Sequence, residues 1–273
     1  RLSFFFAAHN DLFEEVAKFR IARRVWARVA RDRYGAKDPR SMAMRFHVQT
    51  GGSTLTAQAP DTNVVRTTVQ AMAGILGGAQ SLHTNALDEA LGLPTPDTAR
   101  LALRTQQVLA HESGLRLPAD PLGGSWYVEA LTDELERRIE AELAAIDDRG
   151  GAVAAIAEGY QAGEIGDAAY ATQRAVEAGE QIVVGVNRFA DGSEVHPQPQ
   201  RIDPAAEAEQ VARTRAVRAT RDASAARAAL EALTSAAKGT ENVLPRLRAC
   251  VEAWLTVGEI SNALRRVWGE HHP

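Results

Sequence analysis

Three short segments in the first half of the chain alternate apolar with polar side chains, and a long helical pattern follows each one. The segments lie at residues 1–8, 43–50 and 79–85. Alternation with a period of two predicts a β-strand, whereas apolar residues spaced three or four apart predict an amphipathic helix. The repeated order of strand and helix predicts parallel strands joined by right-handed crossovers. We therefore expect an α/β fold in this half of the chain.

Each predicted strand has one face that carries polar side chains. In the second and third strands these are Arg45, His47, Gln49, Ser81, His83 and Asn85. A parallel strand that is covered on both faces is usually a continuous apolar run. Ordinary barrels also fill their interior with apolar side chains, so polar inner faces indicate a lumen that holds a ligand. An antiparallel sheet with one face in water would alternate in the same way, but the helical crossovers argue against it.

The second half of the sequence reads as mostly helical. A loop rich in Pro and Gly at 119–132 leads into it, and residues 182–189 predict a short strand or an extended segment. Residues 191–204 have the composition of a linker. Helical patterns are predicted at 129–148, 151–160, 164–179, 205–236 and 242–268.

Composition excludes several classes of function. The 273 residues carry a formal net charge of −4, which gives no reason to expect nucleic acid as a partner. The single cysteine, Cys250, excludes an internal disulfide and a cysteine-based metal site. No apolar run reaches the roughly 18 to 20 residues of a membrane span, and no signal peptide opens the sequence. We expect a cytoplasmic protein. The start at Arg1, without Met and inside an apolar run, looks like a chain cut within a fold.

The end of the third strand offers the strongest candidate ligand contacts. A strand that ends in Asn85 and continues through Asp88 and Glu89 into a helix lies where α/β enzymes place ligand contacts. Asp88 and Glu89 could equally cap the start of that helix. Gln49 ends the second strand just before the pair Gly51–Gly52, where glycine lets a flat ligand approach the backbone.

The sequence carries no familiar motif for a metal, a nucleotide or acyl transfer. His47 and His83 lie on polar strand faces, where a lone histidine is more often structural than catalytic. No set of His, Cys, Asp and Glu has the spacing of metal ligands. The pairs Gly77–Gly78 and Gly123–Gly124 lack the phosphate-binding patterns. Pattern alone therefore indicates a barrel enzyme with a polar lumen.

Long motifs add a resemblance to a known family. They are RLSFFFAAHNDLFEEVAKFRIARRVWA, RFHVQTGGSTLTAQ, GGAQSLHTNALDEALGLPT, RLALRTQQVLAHESGLRLPADPLGGSWYVEALT, GEQIVVGVNRF and VGEISNALRRVWGEH. Over nearly the whole chain they resemble the large, catalytic subunit of the methylmalonyl-CoA mutase family. The members of this family are adenosylcobalamin-dependent acyl-CoA mutases. The family fold is a TIM barrel whose lumen holds the pantetheine arm of coenzyme A. The resemblance therefore implies the last three strand–helix units of a (β/α)8 barrel at 1–118, followed by a mostly helical extension at 119–273.

The resemblance also implies which residues contact the substrate and the cofactor. Those that match CoA-contacting positions are Arg1 and Ser3. Those that match adenosylcobalamin-contacting positions are Gln49 and Gly52 at the upper corrin face, Asn85 and Glu89 near the adenosyl ribose, and Gly92 beside the cofactor. The loop at 120–125 belongs to the family signature, and we assign it a structural role.

The reaction that the resemblance implies is a radical 1,2-rearrangement of an acyl-CoA, with (R)-methylmalonyl-CoA converted to succinyl-CoA. The alternatives are an isobutyryl-CoA or 2-hydroxyisobutyryl-CoA mutase large subunit and a non-catalytic subunit remnant. The family's catalytic histidine and acyl-selecting residues lie on earlier strands, so no catalytic or metal-binding residue is assigned here. The expected partners are a cobalamin-binding domain or subunit and a second mutase subunit in a dimer. The isolated chain is expected to be inactive.

Overall fold

The computed structural model describes residues 2–190 and 200–270. Within these ranges the chain is α/β, with three strands and mostly helices. It divides into two compact units, residues 1–200 and 201–273, each with its own hydrophobic core. Arg1, which the family resemblance assigns to the substrate, lies outside the described residues.

A parallel sheet of three strands forms the centre of the first unit. Its middle strand pairs with both neighbours, and a helical segment follows each strand. In spatial order the strands are β1 (Phe4–Ala8), β2 (Phe46–Thr50) and β3 (Ser81–His83). The parallel direction and the alternation of strand and helix that the sequence predicts are therefore present.

Two long helices serve as crossovers between these strands, and five further α-helices follow or support them. In chain order the helices of this unit are α1 (Leu12–Arg28), α2 (Pro39–Met42), α3 (Asn63–Leu76), α4 (Pro96–His111), α5 (Trp126–Asp148), α6 (Ala152–Ala157) and α7 (Tyr160–Glu177). Asp11 caps α1 by accepting the N–H of Glu14 at 3.1 Å. A short π-helix at Val29–Arg33 then extends α1 as far as Tyr34.

One side of the sheet is packed and the other is open. Phe19 of α1 stacks on Phe46 of β2 with ring centroids 5.4 Å apart, and Val48 is fully buried beneath α3 at Gly74. On the opposite side Phe5 is 63% exposed. The alternation in the sequence thus separates a face that packs on helices from a face that carries the polar side chains.

Helix α5 lies along α1 and belongs to the first unit. Arg20, Arg24 and Arg28 are four residues apart, so they share one side of α1, and each pairs with acidic residues of α5. The described part of the segment that follows residue 118, residues 119–190, therefore groups with the strands. The functional boundary after residue 118 stays a prediction.

Residues 182–189 form an extended turn. One isolated bridge joins Val184 to Arg188, and the side chain of Asn187 accepts the backbone N–H four residues earlier at 2.7 Å. Arg66 of α3 donates to the carbonyl of Val184 at 2.7 Å. The segment is thereby attached to the helix that follows β2.

Four helices form the second unit. They are α8 (Pro204–Thr220), α9 (Ala223–Ala237), α10 (Leu244–Glu252) and α11 (Val257–Trp268). Leu233, Cys250 and Leu255 form part of their core, and burial raises the pKa of the Cys250 thiol. The predicted linker at 191–204 lies mostly outside the described residues. Across residues 2–190 and 200–270, no helix has both the length and the apolar character needed to cross a membrane.

Candidate functional site

The three strands end at one edge of the sheet because they run parallel. Ala8, Thr50 and His83 are the last residues of β1, β2 and β3. The chain leaves this edge through three loops before it enters α1, α3 and α4. In open α/β sheets and in barrels, ligands bind at the carboxyl ends of the strands, so these loops form the candidate site.

Four of the predicted cofactor-binding residues lie together at this edge. The Nε2 of Gln49 donates to the Oδ1 of Asn85 at 3.1 Å. A Cβ at Gly52 would lie 2.8 Å from the Nδ2 of Asn85 and 3.3 Å from the Oε1 of Glu89. Gln49 and Gly52 come from β2 and its loop, whereas Asn85 and Glu89 come from the loop after β3. We call these four residues the edge cluster.

Asn85 has a buried donor that the described residues leave unpaired. The residue is 2% exposed, its backbone N–H donates to Thr50 Oγ1 at 2.9 Å, and its Oδ1 accepts from Gln49. Its Nδ2 has no hydrogen-bond partner within the described chain. An unsatisfied buried donor costs roughly 1–3 kcal/mol. A ligand with an acceptor atom above Gly52 would remove that cost.

Asp88 and Glu89, neighbours in sequence, have different surroundings. Asp88 is 1% exposed, and its Oδ2 accepts from Thr98 Oγ1 at 2.8 Å and from the N–H of Thr95 at 3.2 Å. Thr95 is the residue that caps α4, so Asp88 supports the start of that helix. Glu89 is exposed, and its carboxylate makes no hydrogen bond with the described residues. The Oδ1 of Asp88 is buried without a hydrogen-bond partner among the described residues, so of the two carboxylates Glu89 is the exposed one.

The structure does not bring Gly92 into the edge cluster. Its N–H donates to the carbonyl of Asp88 at 3.1 Å, so it closes the turn that follows Glu89. Gly92 is exposed in this turn. Its assignment as a residue beside the cofactor stays a prediction.

Ser3 lies at the other end of the open face. It precedes β1, and five residues separate it from Ala8 at the carboxyl edge, a span of about 16 Å at the rise of a strand. Between them Phe5 packs on His47 with ring centroids 5.1 Å apart. His47 in turn contacts Ser81 Oγ at 2.7 Å through its Nδ1. The predicted substrate contact and the edge cluster are therefore separated along one polar face.

Sequence reasoning missed two buried residues of α3 that hold the site loops. Gln70 accepts the N–H of Gly51 at 2.9 Å, and Asn63 donates to the carbonyl of Leu87 at 2.9 Å. Both are fully buried. One feature of the sequence could have revealed them. Three polar residues follow each other at helical spacing on the packed side of a helix that is otherwise apolar, namely Asn63, Thr67 and Gln70.

The signature loop at 120–125 is anchored to α1 by one arginine. Arg20 bonds to Glu129 Oε1 at 2.7 Å and Asp120 Oδ2 at 3.3 Å. The hydrogen bond from Arg20 holds the pKa of Glu129 below its usual value. Glu129 also accepts the N–H of Gly124 at 2.9 Å, which closes the loop onto α5.

No cluster of three or more His, Cys, Asp and Glu side chains suited to a metal ion occurs in residues 2–190 and 200–270. The chemistry of the edge cluster is that of amide and carboxylate groups beside a glycine. Such a set can bind hydroxyl and amide groups of a flat ligand.

Comparison with known proteins decides the family. A family profile described as methylmalonyl-CoA mutase matches residues 1–270. The chain belongs to the methylmalonyl-CoA mutase family. The resemblance that the sequence motifs carry is thereby confirmed, and with it the assignment to a family of isomerases.

Relatives in this family include enzymes with different acyl-CoA names. The 2-hydroxyisobutanoyl-CoA mutase large subunit of Aquincola tertiaricarbonis is 45% identical over 277 residues, which cover 99% of this chain and 49% of that protein. The methylmalonyl-CoA mutase of Escherichia coli K12 is 45% identical over 265 residues, which cover 97% of this chain and 37% of that protein. The mitochondrial methylmalonyl-CoA mutase of Mus musculus is 39% identical over 273 residues, 99% of this chain and 36% of that protein. The chain thus spans half or less of the length of these relatives.

Proposed function

We propose that this chain is part of an adenosylcobalamin-dependent mutase that rearranges the carbon skeleton of an acyl-CoA, with (R)-methylmalonyl-CoA and succinyl-CoA as its substrate and product. Membership of the methylmalonyl-CoA mutase family supports this proposal. The observation that carries it is the buried, unpaired amide of Asn85 beside Gly52 and Glu89 at the carboxyl edge of a parallel sheet.

For the fold, we propose that β1, β2 and β3 with α1, α3 and α4 are the last three strand–helix units of a (β/α)8 barrel. The parallel register and the helical crossovers support this. The open polar face of the sheet would then line the lumen. That placement explains why this face carries Gln49 and His47 where an ordinary barrel interior carries Val, Ile and Leu.

The edge cluster fits the cofactor that we propose for it. Because Gly52 has no Cβ, the unpaired Nδ2 of Asn85 can lie close to its backbone, only 2.8 Å from where a Cβ would be. Glu89 offers a carboxylate that can accept hydrogen bonds from ribose hydroxyls, while Gln49 and Gly92 complete the assigned set. When bound, adenosylcobalamin supplies the one-electron chemistry of the rearrangement. The residues of this chain orient it and exclude water from it.

For the substrate, we propose that Arg1 and Ser3 contact the CoA part. An arginine suits a phosphate through its charge and its planar fork, and serine offers a compact donor and acceptor. The exposed position of Ser3, about 16 Å from Ala8 at the carboxyl edge at the rise of a strand, supports a long ligand that runs along the open face.

A second substrate is favoured by one observation. The relative named as a 2-hydroxyisobutanoyl-CoA mutase large subunit matches this chain at 45% identity, as does a methylmalonyl-CoA mutase. We keep 2-hydroxyisobutyryl-CoA as the alternative. We also propose a cobalamin-binding domain or subunit and a second mutase subunit as partners, because this relative is itself named a large subunit.

The test is to produce this chain together with the remaining segments of a mutase and to assay both acyl-CoA substrates with adenosylcobalamin. We expect conversion of methylmalonyl-CoA to succinyl-CoA. Faster conversion of 2-hydroxyisobutyryl-CoA would select the alternative. Binding of neither cofactor nor CoA by the assembled, folded protein would leave only a non-catalytic subunit role.

A further inference from the structure

The helix that follows β2 has a buried polar face. Asn63 and Gln70 of α3 are fully buried, and Thr67 between them is 2% exposed. Residues at these positions lie one or two turns apart on the same side of a helix. Burying polar groups is costly unless they are hydrogen-bonded, so the partners of these residues show what this face does.

Gln70 uses each of its polar atoms on a loop at the candidate site. Its Oε1 accepts the N–H of Gly51 at 2.9 Å, and its Nε2 donates to Asn10 Oδ1 and Thr54 Oγ1, each at 2.6 Å. Asn10 belongs to the loop after β1, whereas Gly51 and Thr54 belong to the loop after β2. One side chain thus joins two loops. In sequence, Gln70 lies 60 residues from Asn10 in the first loop and 19 residues from Gly51 in the second.

The backbone of Gly51 is fixed from two sides. Its N–H also donates to the carbonyl of Ala8 at 2.7 Å, at the end of β1. A Cβ on Gly51 would lie 2.4 Å from the Cδ2 of His9, so the loop is packed against β1 as closely as a glycine allows. Gly52 is the next residue, and its position relative to Asn85 follows from this attachment.

Asn63 makes the matching attachment to the loop after β3. Its Nδ2 donates to the carbonyls of Thr56 and Leu87, each at 2.9 Å, and its Oδ1 accepts the N–H of Thr56 at 3.1 Å. Leu87 lies two residues before Glu89. Asn63 therefore ties the loop that carries Glu89 to the loop that carries Gly52.

We propose that Gln70 and Asn63 are positioning residues, which set the distance between Gly52 and the pair Asn85 and Glu89 and thereby shape the edge cluster for a flat ligand. This inference rests on the proposed function for the identity of that ligand, adenosylcobalamin. It assigns a role in ligand binding to two residues whose hydrogen bonds go to the site loops and, for Asn63, also to Arg66 of the same helix.

The test compares Gln70→Met with the wild type in the assembled enzyme. Methionine keeps the length of the side chain and removes its three hydrogen bonds. Adenosylcobalamin binding is titrated by absorbance and coenzyme A binding by calorimetry, well below the Tm of each protein. We expect the Kd for adenosylcobalamin to rise about tenfold, the equivalent of one or two buried hydrogen bonds, and the Kd for coenzyme A to change less than about twofold.

Thr67→Val is the matched control. Thr67 lies on the same face of α3, but its buried Oγ1 has no partner among the described residues, so valine removes nothing that holds a loop. We expect neither Kd to change. Asn10→Ala is the second variant, in case Gln70→Met fails to fold, because it removes one partner of Gln70 at an exposed position. It should weaken adenosylcobalamin binding in the same direction but less.

The outcomes separate this inference from the proposed function. If the wild-type enzyme binds adenosylcobalamin and Gln70→Met and Asn10→Ala bind it equally well, the positioning role is wrong and the proposed function stands. If the Kd values for both ligands rise in parallel in Gln70→Met, or if its Tm falls while neither Kd changes, Gln70 is merely structural. If the folded wild-type enzyme binds no adenosylcobalamin, the proposed function itself fails.

Discussion

At the scale of single residues, Asp88 and Glu89 show how neighbours in sequence divide between structure and ligand binding. The carboxylate of Asp88 is buried against Thr95 and Thr98, whereas that of Glu89 is exposed beside Gly52. The sequence left both residues with both roles open. Because the choice depends on which way the turn after Asn85 carries each side chain, a one-dimensional pattern could not make it.

Glu89→Ala should slow turnover of the assembled enzyme by about ten- to a hundredfold, since charge-assisted hydrogen bonds are worth roughly 1.5–3 kcal/mol. We expect little change in coenzyme A affinity, because Ser3 and Arg1 carry that contact in our proposal. Stopped-flow absorbance of the cofactor on mixing with substrate measures the effect. Tm should stay near the wild-type value, because Glu89 caps no helix in the described chain. A lower Tm with normal turnover in Glu89→Ala and Glu89→Gln would contradict this role.

Gly52→Ala should weaken adenosylcobalamin binding by about tenfold or more. The added Cβ would lie 2.8 Å from the Nδ2 of Asn85, and Asn85 cannot move freely because it is buried and bonded to Gln49. Overpacking of this kind costs typically about 1–3 kcal/mol.

Gly163→Ala is the control, because its Cβ would meet nothing within 4 Å on α7. We expect that control to bind normally and to gain about 0.5–1 kcal/mol in stability. Equal binding by both variants would show that Gly52 is not in contact with the cofactor.

At the scale of secondary-structure elements, the sequence predicted the strand–helix order but not how the segment 182–189 closes. The apolar residues of this segment predicted a short strand or an extended segment. Gly185, with φ of +80°, and the side chain of Asn187, which binds the carbonyls of Val176 and Gln181, turn the chain back on itself instead. Such side-chain attachments to a preceding helix leave no periodic trace in a sequence.

Arg20 is the residue of α1 that bonds both to α5 and to the signature loop. Its side chain is only 12% exposed and bonds to Asp120, Glu129 and Thr132. Arg20→Met should therefore lower the free energy of unfolding by about 1–2 kcal/mol, less than for a buried pair because both carboxylates are half-exposed. Urea unfolding followed by circular dichroism measures it. Arg31→Met is the control, because among the described residues Arg31 pairs with the adjacent Asp32 alone, on the surface. Equal destabilisation by both would contradict a special role for Arg20.

At the scale of the whole molecule, the stability of the second unit should depend on pH through one ion pair, that of Arg221 with Glu259. In the second unit the hydrogen bonds from Arg221 hold the pKa of Glu259 at about 2, below its usual 4.5. A carboxyl with a lowered pKa in the folded state contributes its full stabilisation above pH 4.5 and loses it as the pH falls towards 2.

Glu259→Gln should thus lower the free energy of unfolding of the second unit by about 1–3 kcal/mol at pH 7, and this difference from the wild type should shrink between pH 4.5 and 2. Unfolding by urea at pH 7, 4 and 3 tests it. Glu252→Gln is the control, because Glu252 pairs with Arg248 at an exposed position. A difference for Glu259→Gln that is the same at every pH would show that charge is not its cause.

For the chain on its own, we expect no mutase turnover and poor stability. Within the described residues, β1 and β3 each pair on one side only, and exposed strand edges favour association with other chains. Light scattering and thermal unfolding of the purified 273-residue chain test this. A monomer with a cooperative transition and measurable conversion of methylmalonyl-CoA would contradict it.

The attachments made by α3 also govern how this stretch can change in length. Asn63 and Gln70 are seven residues apart, two helical turns, and this spacing keeps both on the side that faces the loops. A deletion or insertion of one residue between them would rotate Gln70 by about 100° around the helix axis and carry it away from Gly51. Substitution at the exposed Val65 leaves that geometry intact. Between these two positions, homologous sequences can therefore vary in the type of amino acid far more readily than in the number of residues.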